Sequence, residues 1–149
     1  MRTTAYALAL VVVIADRVST ATAESHLHGI EHVWGPFGFA LTFNSGFAFS
    51  LFSGRAVVIS VVLCVAVACL GVAVAFVRTL PQALGAGLIL GGAVGNLSER
   101  LFGGHQGQVP DFITLTHWPT FNVADACITV GAITLAASLL FGRPLRTEG

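Results

Sequence analysis

Four stretches of the chain are nearly free of polar residues, and the polar residues that do occur gather at their ends. Between Arg55 and Arg78 the run 56–77 carries no charge and is dominated by Val, Ala and Leu. Residues 79–98 are also uncharged, with Pro81 near the start and a Gly-rich stretch after it. A further run at 124–142 is charged only at Asp125 and is closed by Arg143 and Arg146. The first run, 3–23, reaches comparable length only by continuing past Asp16 and Arg17. A helix that crosses a hydrocarbon core of about 30 Å needs about 20 mostly apolar residues. The pattern therefore predicts four membrane-spanning helices, separated by outer segments at about 24–55 and 99–123.

The first run has a second reading. Arg2, an apolar stretch and Ala21-Thr22-Ala23 before Glu24 imitate a cleavable secretory signal. On four spans both termini share one side. Arg2, Arg78, Arg143 and Arg146 then meet the cytoplasmic face, as basic residues prefer. Arg17, Arg55 and Arg100 fall on the outer face.

Composition agrees with the pattern. Of 149 residues, 55% are hydrophobic and 9% charged, and all seven basic residues are Arg. A soluble domain is about one quarter charged, so most of this surface must face something apolar. The formal charge of zero argues against nucleic acid as a partner, which calls for a clustered basic excess. The length suits a single domain, 1–149.

The segment 24–55 is rich in Gly, Phe and His and alternates over Phe39-Ala-Leu-Thr-Phe-Asn44, which predicts a small strand or hairpin against the membrane surface. The segment 99–123 holds Gly103, Gly104, Gly107, Pro110 and Pro119 and reads as a loop. Trp34 and Trp118 fit the headgroup level. Phe37, Phe39, Phe43, Phe47, Phe49 and Phe52 either dip into lipid or line an apolar groove.

Ionisable residues at a span are costly and are functional candidates for that reason. Asp16, Asn96, Glu99, Arg100, Asp111, Asn122 and Asp125 all lie where helices one, three and four meet the outer face. Asn96, Glu99 and Arg100 share a helix face, as do Asn122 and Asp125. Either of the latter two can cap the fourth helix. Asp111 and Asp125, from different segments, are also what acid–base hydrolysis requires. Two close carboxylates in a poorly solvated site cannot both stay ionised, so one keeps a proton while the other activates water. Caps and helix-to-helix hydrogen bonds are the competing explanation.

Gly87, Gly91 and Gly95 recur at intervals of four, spacing that lets helix backbones approach closely in lipid. His28-Gly-Ile-Glu31-His32 matches the H-x-x-E-H pattern of inverted zinc proteases. Gly29 disfavours the helix that motif needs, and interfacial histidines explain it as well. Cys64, Cys69 and Cys127 read as buried small residues, not as a disulfide or metal set. No metal or cofactor is expected.

At these residues the chain resembles bacterial lipoprotein signal peptidase, the signal peptidase II family, in family order over nearly its whole length. Asp16-Arg-Val-Ser-Thr20 resembles its D-Q-x-x-K box and Asn44-Ser-Gly46-Phe-Ala-Phe-Ser50 its N-x-G-x-A-F-S box. Gly91 to Arg100 resembles G-G-A-x-G-N-x-x-D-R, Val109-Pro-Asp-Phe-Ile113 resembles V-V-D-F-I, and Phe121-Asn-Val-Ala-Asp125 is the F-N-x-A-D box. The resemblance favours a retained first helix over a cleaved signal. It implies a mainly α-helical membrane protein, a four-helix bundle with a small extracytoplasmic β-cradle and a short amphipathic helix. Asp111 and Asp125 are then the catalytic carboxylates, and Asp16, Asn44, Gly46, Asn96, Glu99, Arg100 and Asn122 the supporting and substrate-binding positions. The implied substrate is a diacylglyceryl prolipoprotein, cut before its lipidated Cys in the bacterial cytoplasmic membrane. Globomycin is the expected inhibitor, and a monomer in membrane lipid is expected. Arg17 replaces Gln, Thr20 replaces Lys, Glu99 replaces Asp and Pro110 precedes the Asp of the fourth box, departures that leave room for a weak or inactive homologue that only binds lipidated peptides.

Overall fold

The structure, a computed structural model, describes residues 1–29, 31–45 and 56–141, with the side chains of 31–33 and 56–60 outside that description. Among the described residues, four helices and four strands follow in the order α1 (Arg2–His26), β1 (Glu31–Trp34), β2 (Phe37–Asn44), α2 (Ala56–Val74), α3 (Leu80–Phe102), β3 (Val109–Leu115), β4 (Trp118–Phe121) and α4 (Val123–Phe141).

The apolar runs become helices with little deviation. α1 continues unbroken through Asp16 and Arg17, and its buried positions Ala5, Ala9, Val12, Asp16, Thr20 and Ala23 recur every three or four residues. That stripe faces α3. Thr79 caps α3 by accepting from the Gln82 N–H, while the Gln82 side chain accepts from the Thr79 N–H in return. α3 runs on past the expected end at residue 98, so Glu99 and Arg100 belong to its last turn. α1, α3 and α4 are each long and apolar enough to cross a membrane, whereas the apolar stretch in the described side chains of α2 is the shorter Val61–Val74. Leu10, Val11, Ile14 and Val18 of α1 and Ile133, Leu139 and Leu140 of α4 lie exposed. Such faces call for an apolar environment, as lipid provides.

Small residues allow the close packing of α3. A Cβ at Gly87 would stand 2.7 Å from the Ala5 carbonyl oxygen, and one at Gly91 2.7 Å from that of Ala9. On the other side of α3, a Cβ at Gly92 would meet the Ala124 carbonyl at 2.5 Å, and one at Gly85 the Gly131 carbonyl at 2.9 Å. The expected glycine stripe thus seats α1 on α3, with Gly85 and Gly92 serving α4. These pairings run α1 parallel to α3 and α4 antiparallel to it. The ends of α1 and α3 and the start of α4 therefore meet at one end of the bundle. Tyr6 Oη donates to the Gly71 carbonyl at 2.8 Å and ties α2 to α1 near the opposite end.

The sheet lies at the end where Asp16, Asn96 and Asp125 gather. Its four strands are antiparallel in the order β1-β2-β3-β4, joined by the hairpins β1–β2 and β3–β4. Gly35, at φ +52°, makes the first turn. The first outer segment supplies the expected hairpin. The second, read as a loop, supplies two strands instead, so the cradle draws on both segments. β3 (VPDFITL) escapes the period-two signal because its first four residues are all buried. The short amphipathic helix is not found among the described residues, and Gly46, with Phe47, Phe49 and Phe52, lies outside them.

Candidate active site

The geometry of the site starts from how α4 begins. A helix leaves its first N–H groups without intrahelical partners. Asn122, immediately before α4, accepts from the Asp125 N–H through Oδ1 at 2.9 Å, and Asp125 Oδ2 faces the Asn122 N–H at 3.4 Å. The Ala124 N–H is satisfied from another helix, donating to Asp16 Oδ1 at 2.9 Å. Asp16 is fully buried, with Gly95 beneath it, where a Cβ would come within 2.8 Å of Oδ2. So α1 holds the first turn of α4 through one carboxylate oxygen.

Asp111 comes from the sheet. The register pairs Thr42 with Asp111 and Asn44 with Val109, and period-two alternation puts Asn44 and Asp111 on one face. Asn44 Nδ2 donates to Asp111 Oδ2 at 2.8 Å, and Thr42 Oγ1 donates to the Asp111 carbonyl at 3.2 Å. Asp111 is 1% exposed. Burial pushes its carboxyl up from 3.8 to about 6. The Asn44 bond opposes that rise, the nearby Asp125 adds to it, and Arg100 and the Asn122 bond lower it.

One amide joins the two carboxylates. Asn122 Nδ2 donates to Asp111 Oδ1 at 3.0 Å, while Asn122 Oδ1 and N–H engage Asp125. Asn96 of α3 completes the circuit. Its Nδ2 donates to Asp125 Oδ1 at 2.8 Å, and its Oδ1 accepts from Asn122 Nδ2 at 3.0 Å. Asp125 is half-buried and Asn122 fully buried. Arg100 donates to the Gly107 carbonyl at 2.9 Å, holding the loop that enters β3. Gly107, at φ +83°, gives that loop its turn. The result is a pair of acids, Asp111 buried and Asp125 half-buried, each fixed by neutral amide donors and set by a different element.

The family model described as Signal peptidase (SPase) II matches residues 8–141. The chain belongs to the signal peptidase II family. It is 36% identical over 157 residues to the lipoprotein signal peptidase of Teredinibacter turnerae, covering 97% of this chain and 91% of that one. It is 37% identical to that of Rhodococcus jostii (92% of this chain, 72% of the relative) and 39% identical to that of Mycolicibacterium smegmatis (92% and 57%). The chain thus spans little more than half the length of the last of these. A bacterial membrane enzyme solved by the in meso method at 1.9 Å shares the fold, with a TM-score of 0.82 at 24% identity and 94% coverage of each chain. A second, solved at 2.3 Å, gives 0.74 at 24% identity, covering 98% of this chain and 93% of the other.

Of the positions matched to the signal peptidase II boxes, Asn44, Asn96, Asp111, Asn122 and Asp125 form one hydrogen-bonded set, with Arg100 beside it and Asp16 tied to the Ala124 N–H next to Asp125. Glu99 does not join them. It turns away to pair with Arg17. Sequence reasoning passed over Arg17 as a site residue, as it did Glu24 and His105. Glu24 Oε1 and His105 Nε2 lie 2.7 Å apart, tying the α3–β3 loop to the end of α1, and the His105 ring packs on Phe43 at 4.7 Å between centroids. Charge complementarity between Arg17 and Glu99 was the one available signal. The H-x-x-E-H motif does not form the helical arrangement a zinc protease uses, because Glu31 and His32 lie in strand β1.

A cavity of about 310 Å³ opens between the last two turns of α1 and the sheet, with Ala23, Leu27, Phe39 and Phe112 among its walls. Phe112 follows Asp111 in β3.

Proposed function

We propose that the chain is an intramembrane aspartic endopeptidase that removes signal peptides from diacylglyceryl-modified bacterial prolipoproteins, cutting before the lipidated Cys. The observation that carries this reading is the Asn122 amide, which holds Asp111 and Asp125 together where the bundle meets the sheet. Four spans with both termini cytoplasmic, and the dyad near the outer face, follow from the positive-inside distribution of Arg.

Asp111, the deeper acid, whose carboxyl burial pushes up to about 6, holds the proton. An apolar substrate that displaces the remaining water strengthens that preference. Asp125 takes a proton from water as the water oxygen bonds to the scissile carbonyl carbon. Asp111 gives its proton to the carbonyl oxygen, forming a neutral tetrahedral intermediate. As the C–N bond breaks, Asp125 passes its proton to the departing nitrogen, and the hydroxyl proton returns to Asp111. The dyad ends as it began, and water has been added across the peptide bond. Asn96, Asn122 and Asn44 hold both acids in place throughout, and Asp16 holds the turn that carries Asp125. Lipid surrounds the apolar parts of the substrate.

The test is cleavage of a diacylglyceryl prolipoprotein peptide by purified protein, with and without globomycin. Asp111→Asn and Asp125→Asn should each abolish product while the protein still inserts. Substantial turnover by either variant sinks the mechanism. Tight binding without product in the wild type makes the chain a non-catalytic binder of lipidated peptides, the reading that the Thr20 and Glu99 departures favour.

A further inference from the structure

Two of the four departures from the family boxes are bonded to each other. Arg17 of α1, at the Gln position, donates through Nη1 to Glu99 Oε1 of α3, at the Asp position. Glu99 is 3% exposed, whereas Arg17 is 46% exposed. A buried carboxylate needs a partner, and Arg17 supplies it across the helix interface. Thr20, at the Lys position, is three residues from Arg17 on the same helix. The chain thus carries its cation one turn earlier than the box it resembles and meets it with a carboxylate one methylene longer. Gly103 accommodates the longer side chain, since a Cβ there would collide with Glu99 Oε2.

The position of this pair gives it a role. The residue before Arg17 is Asp16, which grips the Ala124 N–H one residue from Asp125. The residue after Glu99 is Arg100, which grips the Gly107 carbonyl in the loop leading to Asp111. The ion pair therefore joins α1 to α3 between the two tethers that place the two acids. We propose that Arg17 and Glu99 are positioning residues, a clasp that fixes the separation of Asp111 and Asp125 without touching either.

This inference rests on the proposed peptidase activity, and a mutant cycle separates the two. The proteins are wild type, Arg17→Gln, Glu99→Gln, the double variant and Arg17→Lys, assayed on a diacylglyceryl prolipoprotein peptide. If the acids shift by a fraction of an ångström, each single neutral variant should lose about tenfold or more in kcat with little change in KM. The double variant should be no slower than the slower single, because both remove one interaction. Arg17→Lys, which restores the charge, should recover most of the rate. Should Arg17→Gln fail to fold with Glu99 left alone, the double variant, which buries no unpaired carboxylate, carries the comparison with wild type. Wild-type kcat in Arg17→Gln or in the double variant, losses that multiply in the double, or an effect confined to KM overturns the clasp and leaves the peptidase reading standing. Absence of product from the wild type itself overturns the peptidase reading.

Discussion

Removing the Asn44 side chain tests the assignment of the proton to Asp111. Asn44 Nδ2 donates to Asp111 Oδ2 at 2.8 Å, and this bond counts for more when the acceptor is a carboxylate than when it is a carboxyl. Hydrogen bonds to charged groups contribute about 1.5–3 kcal/mol and are about twice as strong as neutral ones. The bias toward the ionised form is therefore about 0.8–1.5 kcal/mol, or about 0.5–1 pH unit at about 1.36 kcal/mol per unit. Asp111 already stands at about 6 because burial outweighs Asn44, Arg100 and Asn122. Asn44→Ala removes one of the opposing influences, so the inflection moves upward, by about 0.5–1 pH unit. The sign then distinguishes acid from base. If Asp111 must be protonated, kcat/KM falls as pH rises through the inflection, and the variant retains a larger share of its own maximum at pH 7 than wild type does. The assay is a kcat/KM profile from pH 5 to 8.5, each protein normalised to its own best rate. A smaller share at pH 7 would show that Asp111 works ionised and reverse the proton assignment. An inflection that does not move would refute the claim that this bond governs the titration.

Asp111→Asn should raise stability at pH 7.5 while abolishing cleavage. The folded-state value is raised from 3.8 to about 6, so folding disfavours the ionised form. The cost is fully present above pH 6, at about 1–3 kcal/mol, and fades as pH falls toward 4. Thermal unfolding in detergent at pH 7.5 and pH 4.5 checks both the gain and its disappearance; an equal gain at both pH values contradicts the origin in charge. Gly91→Ala should destabilise by about 1–3 kcal/mol through overpacking, since its Cβ would stand 2.7 Å from both the Ala9 carbonyl oxygen and Val12 Cβ. Gly71→Ala, where nothing lies within 4 Å, should be neutral or mildly stabilising in the same melt. Equal melting temperatures for the two variants would contradict the close approach of α1 and α3.

What the sequence made legible follows from how expensive each feature is. Charge and amide groups at the ends of apolar runs stand out because a membrane tolerates few of them, so Asp16, Asn96, Asp111, Asn122 and Asp125 were visible before any contact was known. The glycine spacing at 87, 91 and 95 was legible for the same reason, since only close backbone approach rewards it in lipid. β3 was not legible. Its first four residues are buried and Pro110 breaks the pattern, so neither alternation nor composition marks it as a strand. Nor was the direction of Glu99. Its place three residues from Asn96 put both on one helix face, yet the longer side chain reaches α1 while Asn96 reaches α4. Spacing defines a face about a turn wide, and it does not resolve which of two neighbouring helices a side chain on that face meets.

The cap at Asn122 and the bridge proposed for catalysis are one arrangement. Asn122 Oδ1 caps α4 through the Asp125 N–H, and the same amide turns its Nδ2 to Asp111 Oδ1. Capping fixes the amide plane, and a fixed plane determines where its donor hydrogens point. The helix start therefore orients the bridge between the acids. Asp16 does the same from α1, for by satisfying the Ala124 N–H it sets the turn from which Asp125 projects. A substitution that preserves the cap but not the donor, Asn122→Asp, accordingly keeps α4 intact and places a third carboxyl group against Asp111. It should cost activity far more than stability at low pH, where the new carboxyl is neutral. Loss of α4 helicity in that variant by circular dichroism would show that the cap and the bridge are separate functions after all.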